Sequence, residues 1–178
     1  PEGSIDRMYG AEDDVVITDH TQSGGYIVFD ATAQDHSDMV VLYVFADEVD
    51  SEITIPVGVY PINHSLKAGT VLASTGANED NTVSPSIFAT LTDGYLDQLY
   101  FLVDGTVTVE KVDGKIKLEV NAVNSYDVPV RIVYDAQSTD VQDVVQIPTN
   151  TTKVIRNGRL IINHQGKEYS ILGVEINN

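Results

Sequence analysis

Between Leu96 and Tyr134, two Asp-Gly pairs, Asp104-Gly105 and Asp113-Gly114, stand between runs in which apolar and polar residues alternate. An Asp-Gly pair supplies the positive φ angles that a two-residue hairpin turn needs, and a period of two marks a strand with one wet face. The pattern predicts consecutive antiparallel hairpins, with a turn at each pair. Ile116, Leu118, Val120 and Ala122 are assigned to one face, and Lys115, Lys117, Glu119 and Asn121 to the other. Val107 and Val109 alternate in the same way with Thr106, Thr108 and Glu110. A slip of one residue would turn either apolar set into water, so the register is fixed. Leu96 to Val103 is apolar on both faces and needs cover on both sides.

The same reading extends along the chain. Pro1 to Asp14 is polar, with Gly3 and Gly10, and reads as a loosely tied arm. Val15-Val16-Ile17 makes a first strand, and Tyr26 to Ala31 a second. Met39 to Phe45 is a nearly all-apolar third that belongs in the middle of a sheet. Ile53 to Ile62 contains Pro56 and Pro61, which cannot donate to a ladder, so it reads as an edge or a corner. Val71-Leu-Ala and Ser86 to Leu91 are further strands, separated by the polar loop Gly76–Pro85. No stretch sustains the 3.6-residue apolar period of a helix. The expected fold is all-β, a mostly antiparallel meander of about ten to twelve strands closed as a β-sandwich or an open calycin-like barrel. Residues 1–150 are its body, with a final body strand between Gln137 and Asn150. Residues 151–178 form a small C-terminal β-hairpin segment turned at Asn157-Gly158.

Composition narrows the function. The chain of 178 residues is 42% hydrophobic and 21% charged, which suits one globular domain rather than a disordered chain. Its net charge of −17 repels nucleic acid and anionic membrane surfaces. Arg7 is the single base of residues 1–52, against thirteen acids. With no cysteine, disulfides, thiolate nucleophiles and zinc-thiolate sites are excluded. No apolar run reaches the length of a membrane span, and a lipid anchor outside this stretch is compatible with the sequence.

Two stretches resemble known proteins. Lys153-Val-Ile-Arg-Asn-Gly-Arg-Leu-Ile-Ile, followed by Gln165-Gly-Lys-Glu-Tyr-Ser-Ile-Leu-Gly-Val-Glu, resembles the closing hairpins of the C-terminal sorting domains on secreted Bacteroidetes proteins. The body is similar to uncharacterised β-rich secreted or lipid-anchored proteins of the same bacteria. That likeness rests on Ile55-Pro-Val-Gly-Val-Tyr-Pro-Ile, Gly69-Thr-Val-Leu-Ala-Ser, Pro85-Ser86, Gly105-Thr-Val-Thr-Val-Glu and Tyr134, spread over residues 26–135. The resemblance implies export to the periplasm, outer cell surface or extracellular space. It implies no chemistry.

The residues name no reaction either. His20, His36, His64 and His164 lie on four separate segments with no ligand spacing, and read as solvated turn residues. No nucleophile elbow, phosphate loop or dinucleotide fingerprint is present. Carboxylates cluster at Glu12-Asp13-Asp14, Asp35 with Asp38, Asp47 to Glu52, and Glu79-Asp80. Such loops carry the oxygen ligands that calcium takes, but no EF-hand register is present, and a solvated acidic surface explains them as well. No cofactor is expected. Tyr9, Tyr95 and Tyr126 lie in or beside turns and are the candidate ligand platform. The expected function is a non-catalytic exported or surface-anchored binding or adhesion module acting on an extracellular protein or glycan. A calycin-like carrier of a small apolar ligand is the alternative, and a hydrolase using scattered carboxylates a third reading.

Overall fold

A computed structural model describes residues 3–20, 25–46, 53–76, 85–137, 151–156, 159–164 and 167–170. These hold thirteen strands and no helix. Ten belong to one sheet: β1 (Ile5–Tyr9), β2 (Asp14–Asp19), β3 (Tyr26–Thr32), β4 (Asp38–Phe45), β5 (Gly58–Asn63), β6 (Thr70–Leu72), β7 (Ile87–Thr92), β8 (Tyr95–Val112), β9 (Lys115–Asn124) and β10 (Pro129–Asp135). The remaining three, β11 (Thr151–Arg156), β12 (Arg159–His164) and β13 (Lys167–Ser170), form a separate antiparallel sheet. The all-β expectation is met. The final body strand expected between Gln137 and Asn150, and the end of the C-terminal segment, lie outside the described residues.

Two long strands organise the body. β4 pairs with β7 through Asp38–Val41 and with β6 through Val44–Phe45. β8 pairs with β7 through Tyr95–Phe101 and with β5 through Gly105–Val109. Because β5 and β6 also pair with each other, the five strands β4, β7, β8, β5 and β6 close into a ring. β9, β10 and β1 extend the sheet from the far edge of β8, while β3 and β2 extend it from the far edge of β4. The pairing is not purely antiparallel: β1 lies parallel to β10, and β5 parallel to β6.

β8 differs from the sequence reading at one of its two Asp-Gly pairs. Asp113-Gly114 is a hairpin turn, with φ of 50° and 78°, and Asp93-Gly94 makes a like turn between β7 and β8. Asp104-Gly105 is not a turn. It sits inside a strand of 18 residues, at a bulge against β9 between Leu102 and Asp104. There β8 changes partners. The Leu102 amide donates to the Ser86 carbonyl before β7, and its carbonyl accepts from the Ser74 amide beyond β6. Gly105 takes a φ of 127°, and a Cβ there would stand 2.2 Å from the Asn121 carbonyl oxygen. The motif that marks a hairpin thus also marks a bulge, because both need positive φ and a missing side chain.

The faces fall as the alternation requires. Val107, Val109, Leu118 and Val120 are buried, and Glu110, Lys115 and Asn121 are exposed. β4 is buried on both faces, as its apolar run demands. Val40, Leu42 and Val44 join the large core with Phe29, Tyr60, Phe88 and Leu102. Met39 and Val41 join a smaller cluster with Val28, Ile87 and Ala89, against which Leu96, Leu99 and Phe101 pack. Cover on both sides of Leu96–Val103 is thus only partial: Leu102 is buried, Tyr100 packs half-buried on the large core, and Asp97 and Gln98 are exposed.

The N-terminal stretch is the second correction. Far from a loose arm, Ile5–Tyr9 is an ordered strand with Ile5 and Tyr9 buried against β10. Its polar composition hid an inward face of Ile5, Arg7 and Tyr9, in which the charge is absorbed by a partner far along the chain.

Gly105→Ala is expected to destabilise the protein by about 3 kcal/mol or more, because backbone atoms would have to move. Gly114→Ala, with nothing within 4 Å of the added carbon, is expected to cost about 1–2 kcal/mol for the left-handed backbone alone. Urea unfolding of the two variants checks the difference; equal losses would mean that the strand does not bend at Gly105.

Candidate functional site

The most concentrated polar chemistry among the described residues lies where β1 meets the β3–β4 turn. Asp38 opens β4, and its side chain shares the core-facing side with Val40 and Leu42. Its carboxylate accepts a hydrogen bond from the Tyr9 hydroxyl at 2.5 Å and another from Arg7 Nε at 2.7 Å. The Arg7 guanidinium also lies 5.5 Å over the Phe88 ring and donates to the Asp6 carbonyl. Asp38 is 5% exposed and Tyr9 1%, so both oxygens are removed from water and each depends on the other. Burial, with the Asp38 charge beside it, pushes the Tyr9 phenol far above its usual value, so it stays a neutral donor.

Asp13 fastens the next turn. Its two oxygens accept from the Gly10 amide and the Gln34 amide, each at 2.7 Å. Burial raises its carboxyl above the ordinary aspartate value, and the two amides pull it back in part. Close by, Tyr134 packs on Phe29 with ring centres 5.5 Å apart and is also raised by burial. Each group in this cluster is matched to a partner that holds an element in place. The arrangement joins β1, the β1–β2 turn and the β3–β4 turn.

This placement corrects the tyrosine expectation at one position. Tyr9 is core, since its parallel register on β10 sets it opposite Tyr134 and beneath Asp38. It presents no ring to a ligand. Tyr95 and Tyr126 are 52% and 67% exposed. Tyr95 follows the Asp93-Gly94 turn and pairs with Thr92. Tyr126 rides on a turn built around Asn124, which is fully buried. Asn124 Oδ1 accepts from the amides of Tyr126 (2.9 Å) and Val128 (3.1 Å), and its carbonyl accepts from Asp127 at 3.0 Å. Ser125 ties the same turn to the Phe101 carbonyl on β8. The two rings do not share one platform. Asn124 lies opposite Leu102, seven residues along β8 from Tyr95, roughly 20 Å at the rise of a strand.

A ladder of rings runs over the outer face of β3 and β4. His20 stacks on Tyr26 with centres 5.1 Å apart, and Tyr26 on Tyr43 at 5.0 Å. Burial pushes Tyr43 up to about 12. His36 sits in the β3–β4 turn with a φ of 56°, and His64 is exposed after β5. The histidines do not converge among the described residues. The side chain of His164 lies outside them.

Of the acidic turns, those at Glu12–Asp14 and Asp35–Asp38 meet through the bond from the Gln34 amide to Asp13. Asp35 accepts from the Ser37 amide at 2.9 Å, and the contact with Ser37 holds its carboxyl below the usual range. Asp47 to Glu52 and Glu79-Asp80 lie outside the described residues. Among the described residues, no three His, Asp or Glu side chains come together in a way that would hold a metal ion.

Sequence reasoning missed the Asp38 cluster. One signal pointed to it: the lone base of the acidic first segment, at Arg7, two residues from a tyrosine, must find a carboxylate. The sequence did not say which of thirteen. Comparison with protein-family models, curated proteins and solved structures finds no match in any of the three.

Asp38→Ala is expected to cost about 3 kcal/mol, because it leaves the buried Tyr9 hydroxyl without an acceptor. Arg7→Ala should cost less than half of that, since Arg7 is 41% exposed and solvent replaces much of the pair. Thermal unfolding of the two variants gives the order, and the reverse order would remove Asp38 as the centre of the cluster. The Asp13 titration has a definite sign. Its raised value means the folded chain takes the proton more readily than the unfolded one. Its contribution therefore favours folding below the ordinary aspartate value, and is lost as pH rises through the folded value. A carboxyl-carbon NMR titration should find Asp13 above 3.8; a midpoint at or below that value would contradict its half-buried setting.

Proposed function

We propose that this protein is a non-catalytic binding or adhesion module, exported or anchored at a cell surface, that engages an extracellular protein or glycan through its turn tyrosines. The observation that carries this reading is Tyr126, a large ring 67% exposed on a turn whose links run to the buried Asn124 and to β8. A rigid aromatic group meets a partner with little entropy to lose, which is why such residues dominate contact surfaces. Tyr95, on its tight Asp-Gly turn, is the second contact point. A partner touching both must be extended over roughly 20 Å, which favours a protein surface or a glycan chain over a single sugar ring.

Two further features support this reading over its rivals. The charged groups best placed for chemistry, Asp38, Arg7 and Asp13, are engaged in holding strands and turns together. A carrier needs a bore, and a barrel of eight strands is just wide enough for side chains or one small ligand. The ring here has five strands, and Tyr60, Ile62, Phe88, Leu102 and Val107 of its core are each at most 5% exposed. Export itself rests on the resemblance of the sequence and on the acidic charge.

The test is an array of glycans and extracellular-matrix proteins probed with the purified chain, with and without calcium. Tyr126→Ala is expected to reduce binding to the retained partner at least tenfold, and Tyr95→Ala several-fold, with unfolding midpoints unchanged. Binding that survives both substitutions would remove the turn tyrosines from the reading. Turnover of a retained glycan would replace the binding module with an enzyme.

A further inference from the structure

β1 is joined to the sheet in an unusual way. It runs parallel to β10, whose first residue is Pro129, and among the described residues β10 is its one ladder partner. Its inward contacts reach Asp38 on β4 and Phe88 on β7, and its outward Asp6 meets Arg131. Its neighbour in sequence, β2, pairs instead with β3, at the opposite end of the sheet order. What ties β1 to its own chain is the short turn from Gly10 to Asp13, closed by a backbone bond of 3.3 Å and by the Asp13 carboxylate.

The slot beside β10 cannot stand empty at low cost. Without β1, Asp38 would lose a phenol and a guanidinium at once, and Val130 and Ile132, now at most 1% exposed, would be uncovered along one edge. Any occupant must be an extended segment with an apolar residue, a base and a tyrosine at every second position. Ile5, Arg7 and Tyr9 meet this requirement, and an acid between the first two meets Arg131. A second copy of the chain brings the same segment. Every contact of β1 would be reproduced between copies, so the balance between the two arrangements rests on the hinge and on protein concentration.

We propose that β1 exchanges between two copies of this chain, each copy's Ile5–Tyr9 filling the slot beside the other's β10. In the exchanged form the Gly10–Asp13 turn opens, and β1 and β2 run on as one extended segment. The proposal is independent of what the turn tyrosines bind.

The absence of cysteine makes the test direct. Asp6 and Arg131 are Cα partners on the outer face, with side chains 68% and 46% exposed, so replacing them removes only two weak surface pairs, Asp6–Arg131 and Arg131–Glu119. One chain carries Asp6→Cys and another Arg131→Cys. The two are mixed at high concentration, warmed and oxidised. Exchange predicts a covalent heterodimer joined between positions 6 and 131, identified by peptide mapping. It should exceed by at least tenfold the product of a control mixture in which Ser65→Cys, on an exposed loop, replaces Asp6→Cys. A 6–131 yield equal to the control overturns the proposal. Hinge length gives a second readout. Deleting Ala11 and Glu12 should drive the chain to a dimer in light scattering, and inserting six Gly-Ser residues there should return it to a monomer. A folded deletion variant that stays monomeric at every concentration also overturns the proposal, and the cross-link decides if that variant does not fold.

Discussion

The architecture depends on one close backbone approach, that of Gly105 to Asn121. An 18-residue strand is about three times the usual length, and a sheet built on it must bend or remain open. The bulge at Leu102–Asp104 and the positive φ of Gly105 let β8 leave β7 and take up β5, with β9 along its other edge from Leu102 onward. With β4 making the same change from β7 to β6, the two long strands become rails joined at one end by β7 and at the other by the β5–β6 pair. Closure of the ring follows from these two changes of partner. A side chain at position 105 would force β8 and β9 apart at the point where the ring closes.

A second constraint acts at the other end of the sheet order. β1 has the least local reason to be a strand, since it is short, polar and distant in sequence from its ladder partner. Burying Tyr9 would be unfavourable without an acceptor, and burying Asp38 unfavourable without donors. Together they satisfy each other, and Arg7 supplies the opposing charge while its guanidinium lies over the Phe88 ring. The cluster therefore selects one position for β1 along β10. It makes a short, polar segment into part of the core.

The same physics explains which candidate residues keep a functional reading. Tyr9, Tyr95 and Tyr126 look alike in the sequence, each among polar or turn-forming residues. They part in the fold because Tyr9 lies on an inward position of a strand with an acceptor above it, while the other two cap or follow turns that strand pairing pushes outward. The rings of Tyr26 and Tyr43, spaced along strands, stack with His20 on the outer face of β3 and β4 and contribute packing there. The carboxylates divide similarly. Asp35 serves its own turn, Asp13 serves its own and also a turn 21 residues away at Gln34, and Asp38 serves a strand 29 residues away.

By itself, the sequence determined the all-β class, the alternation of β8 and β9, the two-sided burial of β4, and the turn at Asp113-Gly114. These are local matters: a period of two, or a positive φ, is decided by residues a few positions apart. Tertiary structure decided the closure of the ring, the parallel placement of β1 and the fate of Tyr9. It also decided the meaning of Asp104-Gly105, whose dipeptide reads the same at a hairpin and at a bulge. Each of these rests on partners far apart in the chain, such as Gly105 with Asn121 or Tyr9 with Asp38. Local pattern fixes what each segment can be, but only the mutual burial of distant segments selects among those options.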